Sequence, residues 1–200
     1  MKHTIPYPDK GTLDANAVKK ILPQAYPFVF IDRVIGYEKG KSLTAVKHIT
    51  ANEWPFLDRL ETRDQRQETR GKRQEAFGSS LRSQVSSLKS QESLGSLVSS
   101  LESRSVFPET LIIEAAAQAV LVFYEVSRTA DFFSQLRYSI GKINSEFLKQ
   151  VQVGEKFEIH VSPVKILTTG GISKIEIKSS DGQMIAQLEM FFSVRKDVRV

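Results

Sequence analysis

The segment Leu111–Tyr124, LIIEAAAQAVLVFY, is the feature that most restricts how this chain can fold. Only Glu114 and Gln118 are strongly polar in it, so it predicts a helix that is apolar on all sides and buried. Pro108 and Glu109 fit its opening turn, where proline is tolerated and a negative charge favours the helix dipole. Because charged residues are rarely buried unless paired or used, Glu114 demands an explanation.

The chain after this segment has the period-two pattern of β-strands. In KFEIHVSPV, Phe157, Ile159 and Val161 alternate with polar residues, and the last strand places Ala186, Leu188, Met190, Phe192 and Val194 on one face. The sequences TGG at 169–171 and DG at 181–182 are typical of hairpin turns. One apolar helix and a long antiparallel sheet predict an α+β domain in which the sheet wraps the helix.

The N-terminal part adds a short helix and two strands. Asp14–Leu22 is predicted to be helical, with Asp14 as its N-cap and Pro23 ending it. Pro27–Ile35 and Ser42–Ile49 are predicted to be strands joined by a turn that contains glycine.

Residues 61–105 differ in composition from both flanks. TRDQRQE is followed at once by TRGKRQE, and twelve of the 27 residues in Ser79–Ser105 are serine. A thin leucine stripe loses its heptad phase at a six-residue unit, so we interpret the segment as a low-complexity insert in a surface loop, with a partner-binding helix as the alternative. The prediction is one domain over 1–200, formed by 14–60 and 106–194 and interrupted by 61–105.

Composition excludes several classes of function. The net charge of +5 is spread along the chain, with eight basic and six acidic residues in 61–105, and this argues against nucleic-acid binding. With no cysteine there are no thiol sites, and no phosphate-binding loop or cluster at metal-ligand spacing is present, so no cofactor or metal is predicted. The N-terminus lacks an apolar signal region, and fourteen residues are too few to cross a bilayer. We expect a cytoplasmic protein.

Four stretches resemble one family of enzymes. They are ILPQAYPFVFIDRVIGYEKGKSLTAVKHITANEWPF, FPETLIIEAAAQAVLVFY, GKINSEFLKQVQVGEKFEIHV and GGISKIEIKSSDGQMIAQLEM. In this order they are similar to the 3-hydroxyacyl-acyl carrier protein dehydratases of bacterial fatty-acid synthesis. The resemblance implies the hotdog fold, in which a long antiparallel sheet surrounds one central helix.

The resemblance also implies a reaction and a set of residues. In that family a histidine removes the proton next to the thioester carbonyl, and an acid on the central helix protonates the departing hydroxyl. The two groups come from different subunits, so a homo-oligomer based on a dimer is expected, with acyl carrier protein-linked thioesters as partners. Glu114 matches the acid, Gln118 matches a glutamine that orients the acid or the substrate, and Pro108 is the surviving proline of a substrate-side loop.

The family's catalytic loop does not match. Its His-Phe-Pro-Gly sequence is absent and the repeat insert stands in its place, with Glu109 where a glycine follows the surviving proline. None of the three histidines matches: His3 is near the N-terminus, His48 is at a strand end, and His160 is expected to be exposed on a polar strand face. Catalysis is therefore expected to be impaired or lost.

A second departure precedes the first predicted strand. Gln24 and Ala25 occupy positions where the family commonly has His-Arg. We expect these two residues to lie away from the chemistry and to affect packing or carrier contact.

Three other interpretations stay open. Glu114 could serve a hotdog thioesterase as general base or nucleophile. The chain could be a non-catalytic subunit of a hetero-oligomer whose partner supplies the histidine. Glu114 could also be structural, paired with Arg33 or Arg137 or accepting backbone hydrogen bonds.

Overall fold

The structure, a computed structural model, describes residues 7–53, Phe56, 106–128 and 136–196. The chain divides into two compact units, Met1–Ile49 with Phe107–Val200, and Thr50–Val106. Most of the second unit, including the repeat segment 61–105, lies outside the described residues, as does His3. The predicted insert and its boundaries therefore stay predictions.

The described residues of the first unit form two helices and seven strands. Their order is β1 (Lys10–Leu13), α1 (Ala15–Ile21), β2 (Arg33–Glu38), β3 (Ser42–His48), α2 (Glu109–Ser127), β4 (Leu136–Phe147), β5 (Lys156–Leu167), β6 (Gly170–Ser179) and β7 (Met184–Lys196).

The strands form one antiparallel sheet in the order β1-β2-β3-β5-β6-β7-β4. α2 packs against β3 and β5, two inner strands of the sheet. The predicted inward face of β5 is confirmed, since Phe157, Ile159 and Val161 are fully buried. Each large apolar side chain removed from water in this way contributes about 1.5–3 kcal/mol. β4 is an edge strand of twelve residues, and it pairs only with β7 in the described sheet.

α2 is the predicted apolar helix, and it is longer than the predicted segment Leu111–Tyr124. It runs over nineteen residues with Pro108 at its N-cap, one position before the predicted opening turn. By length and composition it could span a membrane, with mean hydropathy 1.4, but 61% of the apolar window is buried inside the protein. That burial is typical of the core helix of a folded domain.

The predicted N-terminal helix is confirmed as α1. Asp14 lies at its N-cap, and its Oδ1 accepts a 2.7 Å hydrogen bond from the backbone N–H of Ala17. This bond satisfies one of the donors that a helix leaves unpaired at its start.

The predicted strand Pro27–Ile35 is largely wrong, because β2 begins only at Arg33. The chain bends at 26–28, where the Tyr26–Pro27 peptide bond is cis. The backbone N–H of Phe30 and the carbonyl oxygen of Phe28 then bond the side chain of Gln118 instead of a neighbouring strand. The apolar run is therefore a segment that crosses α2.

The β5–β6 hairpin is tied to the end of α2. The hydroxyl of Tyr124 lies 2.9 Å from the carbonyl oxygens of Leu167 and Thr168, to which it donates. Gly170 follows with φ +146°, and a Cβ built there would lie 2.2 Å from the carbonyl oxygen of Phe192. The glycine of the predicted turn is thus required for the approach of β7.

Candidate active site

Glu114 lies in the second turn of α2 and is half-buried. Its Oε1 accepts two hydrogen bonds from side-chain amides, at 2.9 Å from Gln118 Nε2 and at 3.2 Å from Gln24 Nε2. In the described part of the chain its other oxygen, Oε2, has no hydrogen-bond partner, and no basic side chain pairs with the carboxyl group. Pairing of Glu114 with Arg33 or Arg137, one of the alternatives left open, is not seen among the described residues.

Gln118 is held in a single orientation behind Glu114. Its side chain is fully buried. Its Oε1 accepts the backbone N–H of Phe30 at 2.8 Å, and its Nε2 donates to the carbonyl oxygen of Phe28 at 2.7 Å as well as to Glu114. Since an amide nitrogen has two hydrogens, both are used, and the amide cannot be reversed without losing these bonds. Of the two roles left open for Gln118, orienting Glu114 is the one that its contacts support.

Gln24 lies beside Glu114, so the prediction that it lies away from the candidate site is wrong. It follows α1, and α1 packs against α2. This packing brings its side chain to Glu114, ninety residues along the chain. No sequence pattern signals a contact between segments so far apart; the polar residue between Pro23 and an aromatic-rich run was the only hint.

A cavity of about 480 Å³ opens beside Glu114. Glu114 and Gln24 contribute polar groups to it, and Arg137 and Tyr138 of the edge strand β4 border it. Its apolar wall consists of Ala117, Val120, Leu121, Ile140, Met190 and Phe192. Its size and mainly apolar lining are typical of a site for a small organic ligand or an acyl chain.

Gln24 and Tyr138, two residues that line this cavity, each have a buried polar atom without a hydrogen-bond partner among the described residues, Gln24 Oε1 and Tyr138 Oη. The ring of Tyr138 is packed edge-on against Tyr124, with centroids 6.1 Å apart. An unpaired buried polar group costs about 1–3 kcal/mol.

Neither described histidine lines this cavity. His48 is exposed at the end of β3, where its backbone N–H and its Nδ1 lie 2.7 and 2.9 Å from Asp32 Oδ2. His160 is half-exposed on β5, with Nδ1 3.2 Å from Thr44 Oγ1 and Nε2 3.7 Å from Glu158. The expected placement of His160 on a polar strand face agrees with these contacts.

Pro108 is the remaining predicted site residue. Pro108 is half-buried at the N-cap of α2 and does not line the cavity, so a substrate-binding role for it stays a prediction. Within the described residues, no group of three or more histidine, aspartate or glutamate side chains is arranged to hold a metal ion.

A second half-buried carboxyl, that of Glu125, lies on α2 outside the cavity. Burial raises the pKa of Glu125, although the neighbouring Arg128 guanidinium, 3.0 Å away, opposes that rise. Burial likewise raises the pKa of Tyr124. Burial therefore makes negative charge unfavourable near the C-terminal end of α2.

Comparison with known proteins covers nearly the whole chain. No family model matches it. It is 27% identical over 184 residues to the 3-hydroxyacyl-[acyl-carrier-protein] dehydratase FabZ of Clostridium botulinum (strain Loch Maree / Type A3), covering 92% of this chain and 97% of that one. It is 28% identical over 187 residues to the protein of that name from Janthinobacterium sp. (strain Marseille), covering 92% of each.

Solved structures agree on the fold. A thioesterase of Haemophilus influenzae matches with a TM-score of 0.54 at 8% identity, over 98% of this chain and all of that one. An uncharacterised protein of Pyrococcus horikoshii matches with a TM-score of 0.50 at 10% identity, over 97% of each. The predicted hotdog fold is confirmed, and so is the resemblance indicated by the motifs: over nearly its whole length the chain is similar to proteins named as 3-hydroxyacyl-acyl carrier protein dehydratases.

Proposed function

We propose that this chain binds 3-hydroxyacyl thioesters carried on acyl carrier protein and acts in their dehydration, with Glu114 as the acid. The observation that carries the proposal is the Glu114 carboxyl group beside an apolar cavity, with Oε1 held by two amides and Oε2 without a partner in the described chain. The names of the curated relatives support the substrate class.

The hydrogen bonds of Glu114 decide which oxygen can deliver a proton. Gln118 Nε2 donates to Oε1, so Oε1 must act as an acceptor. When the carboxyl group carries a proton, that proton therefore lies on Oε2. Hydroxide is a poor leaving group, and a proton delivered from Oε2 to the hydroxyl of the substrate lets it depart as water.

The proton next to the thioester carbonyl needs a base, and the described cavity offers no histidine. The edge strand β4 borders the cavity through Tyr138 and Ile140, and Ile140 is 47% exposed. A long edge strand, with one side unpaired in the described sheet, is a ready template for another chain. We therefore propose that a second chain pairs along β4, beside the cavity, and that a histidine-bearing homologue in that position supplies the base.

The proposal includes the setting of the reaction. The ligand is expected to be presented by acyl carrier protein in the cytoplasm, to a dimer or an assembly built from dimers. No nucleic-acid or membrane partner is part of it.

The test is hydration of an enoyl thioester, which runs the reaction in reverse, by the purified chain alone and mixed with a histidine-bearing dehydratase homologue. We expect activity in the mixed assembly that Glu114→Gln in this chain lowers by about 10²–10⁴-fold, the usual contribution of a positioned acid or base. The homologue carries its own complete sites when it pairs with itself, so its catalytic histidine is kept and its helix acid is removed. Equal rates for the wild type and Glu114→Gln in that mixture would refute the role of Glu114.

A thioesterase is the second candidate, and the same assay separates it. Glu114 as general base or nucleophile would release free thiol from saturated acyl thioesters, which dehydration does not do. Thiol release that depends on Glu114, without hydration of the enoyl thioester, would replace the dehydratase proposal.

A further inference from the structure

The cavity beside Glu114 extends along α2 towards the C-terminal end of that helix. The residues of α2 that line it are Glu114, Ala117, Val120 and Leu121. Because a helix rises about 1.5 Å per residue, this wall is about 10 Å long. Residues three or four positions apart share a helix face, so Tyr124 is the next side chain on the same face. Tyr124 is buried and does not line the cavity, so the cavity stops before it.

Aromatic rings from the sheet fill the space at this end of the cavity. The ring of Phe192 on β7 packs edge-on against that of Tyr124, with centroids 5.2 Å apart and planes at 81°. Tyr138 on β4 contacts the same tyrosine, with centroids 6.1 Å apart. Phe192 and Tyr138 line the cavity, whereas Tyr124 lies behind them. The end of the cavity away from Glu114 is therefore aromatic.

The Phe192 ring is packed on two sides. Tyr124, on one side, donates its hydroxyl hydrogen to the carbonyl oxygens of Leu167 and Thr168 and is fixed by them. Gly171 lies on another side, where a Cβ would be 3.1 Å from Cε1 and Cζ of the Phe192 ring. That distance is shorter than the contact of about 3.5–4.0 Å between carbon atoms, so only a glycine lets the ring pack against the backbone of β6. Close packing on two sides makes the ring a fixed wall.

We propose that Phe192 is a specificity-determining residue that limits the length of the acyl chain, an inference that rests on the proposed function. With the 3-hydroxyl group of the ligand beside Glu114, the chain beyond its third carbon lies along α2 and ends at the Phe192 ring. About eight C–C bonds of about 1.5 Å, arranged in a zigzag, span the wall of α2. An acyl chain of about ten to twelve carbons therefore fills the cavity, and a longer chain meets the ring.

Met190, the neighbouring side chain on the same strand, does not set such a limit. It lies two residues before Phe192 on β7 and also lines the cavity. Its side chain is unbranched and flexible, so it adapts to ligands of different shape. Phe192 has a rigid ring that is packed against Tyr124 and the backbone at Gly171. Selection by length therefore falls on Phe192.

The experiment measures, by calorimetry, the affinities of 3-hydroxydecanoyl- and 3-hydroxytetradecanoyl-acyl carrier protein. The carrier is the same in both ligands, so the ratio of the two affinities reports the acyl chain alone. The wild-type chain should prefer the decanoyl ligand by about 5- to 150-fold, the factor that matches the usual cost of overpacking an apolar site.

Two variants on β7 test the residue. Phe192→Ala removes the ring and makes room for the additional carbons, so it should reduce the preference towards one or reverse it. Phe191→Ala is the matched control, because this phenylalanine is adjacent to Phe192 and does not line the cavity. It should keep the wild-type preference. Phe192→Leu serves in place of Phe192→Ala if the latter does not fold, as judged by circular dichroism.

The ratio of affinities separates selection by length from a general loss of structure. A structural effect of Phe192→Ala would weaken both ligands alike and leave the ratio unchanged, and that result overturns the inference. A wild type that binds both ligands equally overturns the inference but not the proposed function, whereas a wild type that binds neither overturns both.

Discussion

Gln118 holds Glu114 from one helical turn away, with a 2.9 Å hydrogen bond from its Nε2 to Glu114 Oε1. The same amide accepts the backbone N–H of Phe30, which belongs to the segment that crosses α2. The acid and the path of the chain around it therefore depend on one buried side chain. Because a side chain bound at both ends has little freedom, Glu114 is held in place before any ligand arrives.

Replacing Gln118 tests this dependence. Gln118→Leu leaves the buried N–H of Phe30 unpaired, so we expect the free energy of unfolding to fall by at least about 1–3 kcal/mol. Urea unfolding measures the change, with Gln183→Leu at an exposed glutamine as the control. A Gln118→Leu protein as stable as the control variant would show that the bond to Phe30 contributes nothing.

The rings of Tyr124 and Tyr138 pack edge-on, and we expect removal of their hydroxyl groups to have opposite effects on the free energy of unfolding. Tyr138→Phe removes a buried hydroxyl without a described partner, so we expect the free energy of unfolding to stay the same or to rise by up to about 1–3 kcal/mol. Tyr124→Phe removes a hydroxyl that bonds the carbonyl oxygens of the β5–β6 turn, so we expect a loss of about 0.5–1.5 kcal/mol. Denaturant unfolding of both variants checks the pair, and a clear loss of stability in Tyr138→Phe would contradict the assignment.

Gly170 should not tolerate a side chain. A Cβ at this position would meet the carbonyl oxygen of Phe192 at 2.2 Å, and its φ of +146° is unfavourable for other residues. We expect Gly170→Ala to cost about 1–3 kcal/mol or more, since the backbone of β7 has to move or the strain has to be kept. Gly36→Ala is the matched control, because a Cβ there meets nothing within 4 Å. Equal melting temperatures for the two variants would refute the prediction.

The raised pKa of Glu125 predicts a dependence of stability on pH. A carboxyl group whose pKa is higher in the folded protein binds more protons there than in the unfolded chain, so its stabilising contribution is complete below its ordinary pKa of 4.5 and is lost as pH rises through the folded pKa. Glu125→Gln, which cannot ionise, should therefore gain melting temperature relative to the wild type as pH increases from 4 to 8.

Glu38→Gln supplies a control of the opposite sign. Bonds to Lys41 and Lys10 lower the pKa of Glu38, so its contribution is present above its ordinary pKa and is lost on acidification. That variant should lose melting temperature relative to the wild type as pH rises, by a small amount because the pair is exposed. The same pH trend in both variants would contradict the assignment of Glu125.

Local patterns predicted the elements that depend on neighbouring residues alone. The cap at Asp14 needed only the next three residues, and the alternation of Phe157, Ile159 and Val161 needed only the period of a strand. Glu114 and Gln118 could be placed together because four residues make one helical turn. The fold class followed from the same information, since an apolar helix must be covered by the strands around it.

The sequence by itself determined a buried helix in which Glu114 is the one carboxyl group among the apolar residues of Leu111–Tyr124, and strands enough to cover that helix. Only the tertiary structure decided that Pro27–Asp32 is not a strand and that Gln24 reaches Glu114. The physical reason is the same in both cases. Phe28 and Phe30 satisfy backbone groups on the side chain of Gln118, and Gln24 satisfies a carboxyl group from another helix, so each outcome depends on a partner about ninety residues away. A local propensity depends on a few neighbouring residues, so it cannot specify so distant a partner. Only the folded chain brings that partner into contact.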